Sequence, residues 1–157
     1  MIVINIKDNL WIISLVAGIL GVISIFLPVW TYNVGGDFAV GWLWGTYIYN
    51  GLFDSIPIDE PIVILGIVGA IIIAIGAVIL LIAGIIAKIK DRSINLLYLI
   101  GGILPIIAAI IYIAGVAVEY PAWWMVYTIN VAGIFPFIAG GLGIAAGILG
   151  LILGRKE

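Results

Sequence analysis

Four long apolar runs alternate with short polar segments along the 157 residues of this chain. The runs cover about residues 10–29, 61–87, 94–118 and 129–153. Because a helix needs about 20 predominantly apolar residues to cross a hydrocarbon layer about 30 Å thick, each run is long enough to form one span. The pattern therefore predicts four transmembrane helices that make up a single integral membrane domain over residues 1–157.

The longer connection at one end of this predicted bundle, residues 30–60, carries the signals of a β-strand. Within it, residues 37–50 are rich in aromatic and β-branched side chains that alternate at period two, which is typical of a strand. This interpretation assigns two sets of side chains to opposite faces of the strand: Phe38, Val40, Trp42 and Trp44 on one face, and Leu43, Tyr47 and Tyr49 on the other.

Turn signals in the same connection predict that its strands form hairpins. Gly35-Gly36 is a turn signal, and Asn50-Gly51 is a strong signal for a two-residue turn. The shorter connection, residues 119–128, is rich in aromatic residues and can supply a further strand. We therefore expect a small β-sheet built from both connections.

Composition excludes a soluble domain. The chain is 66% hydrophobic and 9% charged, with a mean hydropathy of +1.41. A soluble fold of this size needs far more polar surface to cover its core.

The charged residues divide between the two ends of the predicted bundle. Positive residues in short loops stay on the cytoplasmic side, so both termini and the 88–93 turn are expected in the cytoplasm of a multi-pass cell-membrane protein. All six basic residues lie on that side: Lys7, Lys88, Lys90, Arg92, Arg155 and Lys156. The extracellular side carries only acidic charge: Asp37, Asp54, Asp59, Glu60 and Glu119.

Small residues recur at a spacing of seven within the apolar runs. A seven-residue repeat keeps one seam facing a neighbouring helix and predicts left-handed crossing. Small side chains on that seam let helix backbones approach closely. The predicted helix-packing residues are Gly69, Gly76, Gly84, Gly102, Ala109, Gly140, Gly143, Gly147, Gly150 and Gly154.

Two GxxxG motifs in the last run leave two alternatives open. Gly143 and Gly147 form one motif, and Gly150 and Gly154 form the other. Such motifs mark a close approach between helices without naming the partner helix. They serve either packing within the bundle or contact with another chain.

Residue types that carry most catalytic and metal chemistry are missing. The sequence has no His and no Cys, and the apolar runs hold no ionised side chain. We therefore expect no enzymatic activity and no cofactor. The one carboxylate cluster, Asp54, Asp59 and Glu60, is interpreted as a helix start and a solubilising group rather than a cation site, because acidic residues favour the positive end of a helix dipole.

Trp30 follows Pro28 at the end of the first apolar run, and Gly41-Trp42-Leu43-Trp44 follows in the longer connection. This arrangement resembles claudins and the wider superfamily of claudins, peripheral myelin protein and epithelial membrane proteins. The resemblance implies a left-handed bundle of four transmembrane helices, capped by a small extracellular β-sheet from both outer loops. These five tryptophan-motif residues are the candidates for packing in the outer layer. Trp42 and Trp44 lie mid-loop, too far along the chain for the membrane–water boundary to explain both, whereas Trp30 is also interpreted as a residue of that boundary, where Trp and Tyr concentrate.

The predicted function is non-enzymatic. We expect a structural, adhesion or lateral-assembly role through the outer loops and the small-residue helix faces, with the lipid bilayer and a homo-oligomer or membrane-protein partners as its contacts. The alternative is an accessory transmembrane subunit of a larger complex in transport, secretion or respiration. A small transporter or channel is disfavoured, because such proteins usually hold ionisable groups within the membrane. Neither nucleic-acid binding nor a small-molecule substrate is indicated.

Overall fold

Four long helices dominate the part of the chain that the structure describes. The computed structural model describes residues 6–90, 94–122, 125 and 127–154, and of residues 6–8, 131, 132 and 154 it describes the backbone only. The helices are α1 (Ile6–Phe26), α2 (Pro61–Lys90), α3 (Asn95–Glu119) and α4 (Val131–Gly154). Each contains a segment of 18 to 30 residues that is long and apolar enough to cross a membrane, which confirms the four predicted candidate spans.

Four helix boundaries differ from the predicted ones by two residues or more. Helix α1 begins at Ile6 rather than near residue 10, and α2 ends at Lys90 rather than near residue 87. Helix α1 ends at Phe26 rather than near residue 29, because Pro28 disfavours the helical conformation at the residue before it. Helix α4 begins at Val131 rather than at residue 129, because Tyr127–Ile129 is a strand. Backbone hydrogen bonding to a neighbouring strand overrides the apolar pattern there.

The helices form a ring in chain order. Helix α1 packs against α2 and α4, and α3 packs against the same two helices, whereas the diagonal pairs barely touch. The interior is lined by small side chains, of which Ala17, Ala77, Ala83, Ala139 and Ala146 are fully buried. Large isoleucines lie on the outside of the bundle. Small residues inside and large apolar residues outside are what helices need when lipid rather than water surrounds them.

Five short strands form one antiparallel sheet in the order β4-β3-β2-β1-β5. The strands are β1 (Trp30–Val34), β2 (Asp37–Gly41), β3 (Thr46–Tyr49), β4 (Leu52–Ser55) and β5 (Tyr127–Ile129). The sheet covers the end of the bundle where α1 ends and α2 begins. We call this the sheet end, and the end that carries Lys88 and Lys90 the opposite end. Both connections contribute strands to the sheet, as predicted.

The two predicted turns are confirmed, and each joins two antiparallel strands as a hairpin. Gly35 and Gly36 join β1 to β2 with φ angles of 65° and 95°, and Asn50 and Gly51 join β3 to β4 with φ angles of 46° and 84°. Positive φ at both central residues is what a two-residue hairpin loop of type I′ requires, and the twist of this turn matches that of the flanking strands.

The single strand predicted over residues 37–50 is wrong at its centre. The chain turns between β2 and β3, where the Gly45 N–H donates to the Trp42 carbonyl at 3.2 Å and the Trp42 N–H donates to the Thr46 carbonyl at 2.9 Å. Gly45 has a φ of 83°, which a strand residue does not adopt. Trp42 and Trp44 therefore do not share a strand face with Phe38 and Val40.

Candidate functional site

A cavity of about 460 Å³ lies between the sheet and the helices α2, α3 and α4. Its volume is within the range of about 300–1,000 Å³ that small-molecule pockets usually occupy. Most of its lining is apolar, and the polar groups are mainly tyrosines. We describe it as the sheet cavity, with a roof formed by the sheet and a floor formed by the helices.

The roof is the helix-facing side of the sheet, and aromatic rings dominate it. The Trp30 ring centroid lies 5.3 Å from that of Tyr127, edge-on, and 6.4 Å from that of Tyr47. The Tyr32 and Tyr127 centroids are 5.6 Å apart. Aromatic pairs in these arrangements contribute about 0.5–1.5 kcal/mol beyond the area they bury. These ring contacts therefore stabilise the roof of the cavity.

Gly41 creates the space that Trp30 fills. The two residues are direct cross-strand partners in the β1–β2 ladder. A Cβ atom on Gly41 would overlap the six-membered ring of the Trp30 indole. An aromatic side chain that covers a cross-strand glycine shields its backbone and fixes the register of the two strands.

The loop between β2 and β3 ties the roof to the helices. The Trp42 indole N–H donates to the carbonyl of Phe26 at 2.9 Å, and this carbonyl is one of those left unpaired at the end of α1. Trp44 contacts the Phe26 ring edge-on at 6.4 Å between centroids. Leu43 is only 6% exposed, and its carbonyl lies so close to Gly66 of α2 that a Cβ there would collide with it. The sheet is thus anchored to both α1 and α2.

The floor is open because small residues line it. Gly69 of α2 faces Ala108 of α3, and a Cβ on Gly69 would meet only the Ala108 carbonyl oxygen, at 3.8 Å. On α2 the lining runs from Ile62 to Ile73, and a rise of about 1.5 Å per residue makes this about 16 Å of depth. Gly133 adds a small residue from α4. The sheet cavity therefore extends deep between the helices and is not confined to the surface beneath the sheet.

Hydrogen bonds on the sheet set the charges around the roof. The Tyr47 hydroxyl donates to Asp54 Oδ2 at 3.1 Å, and partial burial followed by this carboxylate raises the pKa of Tyr47. The Asn50 amide donates to Asp37 Oδ1 at 2.9 Å, and this bond, followed by one from Tyr49, lowers the pKa of Asp37. These donors thus favour the ionised form of the Asp37 carboxyl.

Four tyrosines that line the cavity keep their hydroxyls unused. Burial is the largest cause that raises the pKa of the Tyr127 hydroxyl, and the neighbouring Tyr120 and Tyr32 raise it further. Their hydroxyls form no hydrogen bond with any other described residue; the four are Tyr32, Tyr112, Tyr120 and Tyr127. These hydroxyls are available to a ligand, as donors and as acceptors.

Three of the five tryptophan-motif residues predicted from sequence line this cavity. Trp30, Trp42 and Leu43 line it, and Gly41 accommodates Trp30. Trp44 lies against Phe26 and does not line the cavity. Gly69 and Ala109, predicted as helix-packing residues, also line its floor.

The other predicted small residues face neighbouring helices of the same chain. A Cβ on Gly76 would lie 2.7 Å from the Pro105 ring, and one on Gly84 would lie 3.0 Å from the Trp11 carbonyl. The remaining contacts join α3 to α4. Gly102 meets Gly140 and Gly143, whereas Gly147 meets Leu99 and Gly150 meets the side chain of Asn95.

These contacts direct three of the four GxxxG glycines into the bundle. Gly154 is the last residue of α4, and its surroundings lie outside the described part of the chain. The same holds for Arg92, Arg155 and Lys156 and for the side chain of Lys7.

The carboxylate cluster is spread over two elements. Asp54 accepts hydrogen bonds within the sheet, from Tyr47 and from the backbone of Ser55. Glu60 lies just before α2, and its carbonyl accepts from the Val63 and Ile64 N–H groups at 3.0 and 3.2 Å. Among the described residues, no group of three or more carboxylates, histidines or cysteines could hold a metal ion.

No known protein-family model and no curated protein matches this chain. Sequence reasoning missed the cavity itself, because its lining residues come from elements that are far apart in the sequence. One signal was present in the sequence: Tyr112 is a polar side chain well inside an otherwise apolar stretch of α3.

Proposed function

We propose that this chain is a non-enzymatic, multi-pass cell-membrane protein that assembles laterally with copies of itself through the free edge of its sheet. The observation that carries this proposal is the exposure of strand β4. Leu52 and Phe53 are 74% and 73% exposed, although both are large and apolar. An exposed apolar edge strand is a ready template for pairing with another strand.

The geometry of an edge pairing favours a second copy in the same membrane. A two-fold axis perpendicular to the sheet pairs two β4 strands antiparallel and keeps the same sheet face directed at the helices in both copies. Both helix bundles then have the same orientation, side by side. Symmetric dimers of this kind use one surface patch on both subunits.

The sequence of β4 favours a two-fold axis at Phe53 over one at Asp54. In an antiparallel pair, residues directly opposite each other have their side chains on the same face of the sheet. The two-fold axis of the dimer must therefore lie midway between one residue of β4 and the same residue of the second copy. An axis at Asp54 sets two carboxylates opposite each other, which is destabilising. An axis at Phe53 sets two phenylalanine rings opposite each other instead, which is stabilising.

Cysteine crosslinking in native membranes tests this register, because the wild-type chain has no Cys. Opposite residues in such a pair have Cα atoms about 4.5–5.5 Å apart, within reach of a disulfide. Phe53→Cys should therefore form a disulfide-linked dimer under mild oxidation. Ser55→Cys is the matched control on the same strand: the two copies of residue 55 are four residues out of register, about 13 Å apart, and should not crosslink.

The crosslinking pattern also separates the alternative function. A disulfide-linked dimer at position 53 but not at 55 supports self-assembly. Monomer at both positions contradicts it. If a thiol-reactive photocrosslinker at position 53 captures a different membrane protein in stoichiometric amount, the chain is an accessory subunit of a larger complex and the self-assembly proposal fails.

The proposed orientation places the sheet outside the cell and both termini in the cytoplasm. Its support is the distribution of charge: Lys88 and Lys90 end α2 at the opposite end from the sheet, and positive residues are retained in the cytoplasm. A membrane-impermeant thiol reagent should label Asp37→Cys in intact cells and leave Lys90→Cys unlabelled until the cells are opened. Equal labelling of both from outside contradicts this orientation.

The proposed arrangement is claudin-like. Two features support it: both connections contribute strands to one sheet at one end of four apolar helices, and Trp30 and Trp42 anchor that sheet. The absence of ionised side chains from the spans favours a structural role over transport.

A further inference from the structure

The sheet cavity has the shape and lining of a site for a lipid-like molecule. Its floor reaches Ile73 of α2 and Ala108 of α3, deep between the helices, where the lining side chains are mostly apolar. The strands of the roof carry Tyr32, Tyr47, Tyr49 and Tyr127, and Tyr112 lies on α3. A cavity that is apolar at its closed end and hydrogen-bonding at its roof is complementary to an amphiphile.

Charge decides which kind of head group fits. Residues 30–60 and 119–128 contain five acidic residues and no Lys or Arg. None of the described residues that line the cavity is Lys or Arg, so a phosphate or carboxylate head at the roof would find no cation to pair with, and burying it there is unfavourable. A neutral head that carries hydroxyl or carbonyl groups avoids this cost.

Hydrogen-bonding capacity at the roof is present and unused. Tyr32 and Tyr127 lie on adjacent strands with their rings in contact, and neither hydroxyl bonds to another described residue. Each tyrosine hydroxyl can donate one hydrogen bond and accept others. A ligand with several hydroxyls can use both.

We propose that the sheet cavity binds one molecule of a neutral amphiphile, with a long apolar chain inserted between α2 and α3 and a hydroxyl-bearing head against the tyrosines of the roof. This site is separate from the β4 edge, so it does not depend on self-assembly. Bound in this position, the molecule links the sheet to the helices.

Native mass spectrometry with monoolein as the probe tests the proposal. The detergent-solubilised full chain is titrated with monoolein, and oleyl sulfate serves as a probe with the same chain and an anionic head. We expect a saturable one-to-one adduct with monoolein and binding of oleyl sulfate weaker by at least about tenfold. The absence of a saturable monoolein adduct overturns the proposal, and equal binding of the two probes overturns the assignment of a neutral head.

Two variants that fill the floor locate the site. Gly69→Leu and Ala109→Leu place a large side chain into the cavity from α2 and from α3, and each should weaken monoolein binding by at least about tenfold. Gly141→Leu is the matched control, because a Cβ on Gly141 has nothing within 4 Å. It should bind as the wild type does. Wild-type affinity in both filled variants overturns the site.

The head group is tested by removing two hydroxyls without changing the shape of the roof. The double variant Tyr32→Phe, Tyr127→Phe keeps the ring contacts and should weaken monoolein binding about three- to tenfold per hydrogen bond lost. Tyr47→Phe is the comparison, because its hydroxyl already donates to Asp54. Equal binding by the double variant and Tyr47→Phe overturns the role of the roof hydroxyls.

Discussion

Gly102 of α3 and Gly140 of α4 pack backbone against backbone. A Cβ on Gly102 would lie 2.7 Å from the Gly140 carbonyl oxygen, and a Cβ on Gly140 would lie 2.5 Å from the Gly102 carbonyl oxygen. Neither residue can gain a side chain while the helices keep this distance. Gly143 approaches the same point of α3, where a Cβ would lie 2.9 Å from the Gly102 Cα.

Gly140→Ala is therefore expected to destabilise the bundle by about 1–3 kcal/mol, the usual cost of overpacking. The neighbouring Gly141→Ala is the matched control, because its Cβ meets nothing within 4 Å. It should change stability by less than about 0.5 kcal/mol, or raise it slightly, since alanine is the better helix former. Thermal unfolding in a mild detergent, followed by circular dichroism, measures both. Similar values for the two variants would contradict the close approach of α3 and α4.

A buried hydrogen bond links α1 to α2. The Ser14 hydroxyl donates to the Leu80 carbonyl at 2.7 Å, whereas the equally buried Ser24 hydroxyl donates to Gly21 of its own helix at 2.7 Å. Ser14→Ala should lower the free energy of unfolding by about 0.6 kcal/mol and at most about 1.7 kcal/mol, as for other interhelical bonds between membrane helices. Ser24→Ala should change it less, because a bond within one helix persists when the helices separate. Chemical denaturation in detergent gives both values, and a larger effect for Ser24→Ala would refute this account.

The Tyr98 hydroxyl is buried without a partner. Tyr98 is 0% exposed, and its hydroxyl forms no hydrogen bond with any other described residue. A buried polar group without a partner costs about 1–3 kcal/mol. We therefore expect Tyr98→Phe to raise the unfolding temperature in detergent. Tyr47→Phe, which loses a bond to Asp54, is the contrasting variant and should not raise it. A lowered unfolding temperature for Tyr98→Phe would show instead that a buried water bonds this hydroxyl.

The sheet should weaken in acid through Asp37. Because hydrogen bonds from Asn50 and then Tyr49 lower the pKa of Asp37, its contribution to stability is full above the unfolded value of about 3.9. That contribution is lost as the pH falls through the lower folded pKa. Asn50→Gly tolerates the positive φ at this position and removes the amide donor, so the pKa of Asp37 should rise.

An NMR titration of the Asp37 carboxyl carbon measures this shift directly. Tyr49→Phe removes the smaller contribution and should raise the pKa of Asp37 less than Asn50→Gly does. An unchanged pKa in Asn50→Gly would rule out the Asn50 amide as the main cause.

Local sequence patterns predicted the helices and the turns correctly, because these elements depend on residues that are close together in the chain. Apolar runs of about 20 residues suffice to define a helix, and the Asn50-Gly51 pair suffices to define a hairpin turn, because each depends only on residues close in the chain. The predicted strand failed at Trp42–Gly45, where the indole of Trp42 finds the Phe26 carbonyl and Leu43 packs down onto α2. Both contacts join segments distant in sequence, which a period-two pattern cannot detect.

By itself the sequence determined the four apolar helices, the two hairpin turns and the small-residue seams, because length, hydropathy and spacing act along the chain. Only the tertiary structure decided that Trp30 covers Gly41, that Gly102 meets Gly140, and that tyrosines from both connections converge above an open slot between α2 and α3. The physical reason is that a cavity forms where the side chains of packed elements leave space between them. Gly69 opens space only because the residue across from it is Ala108, and that pairing depends on how the helices pack.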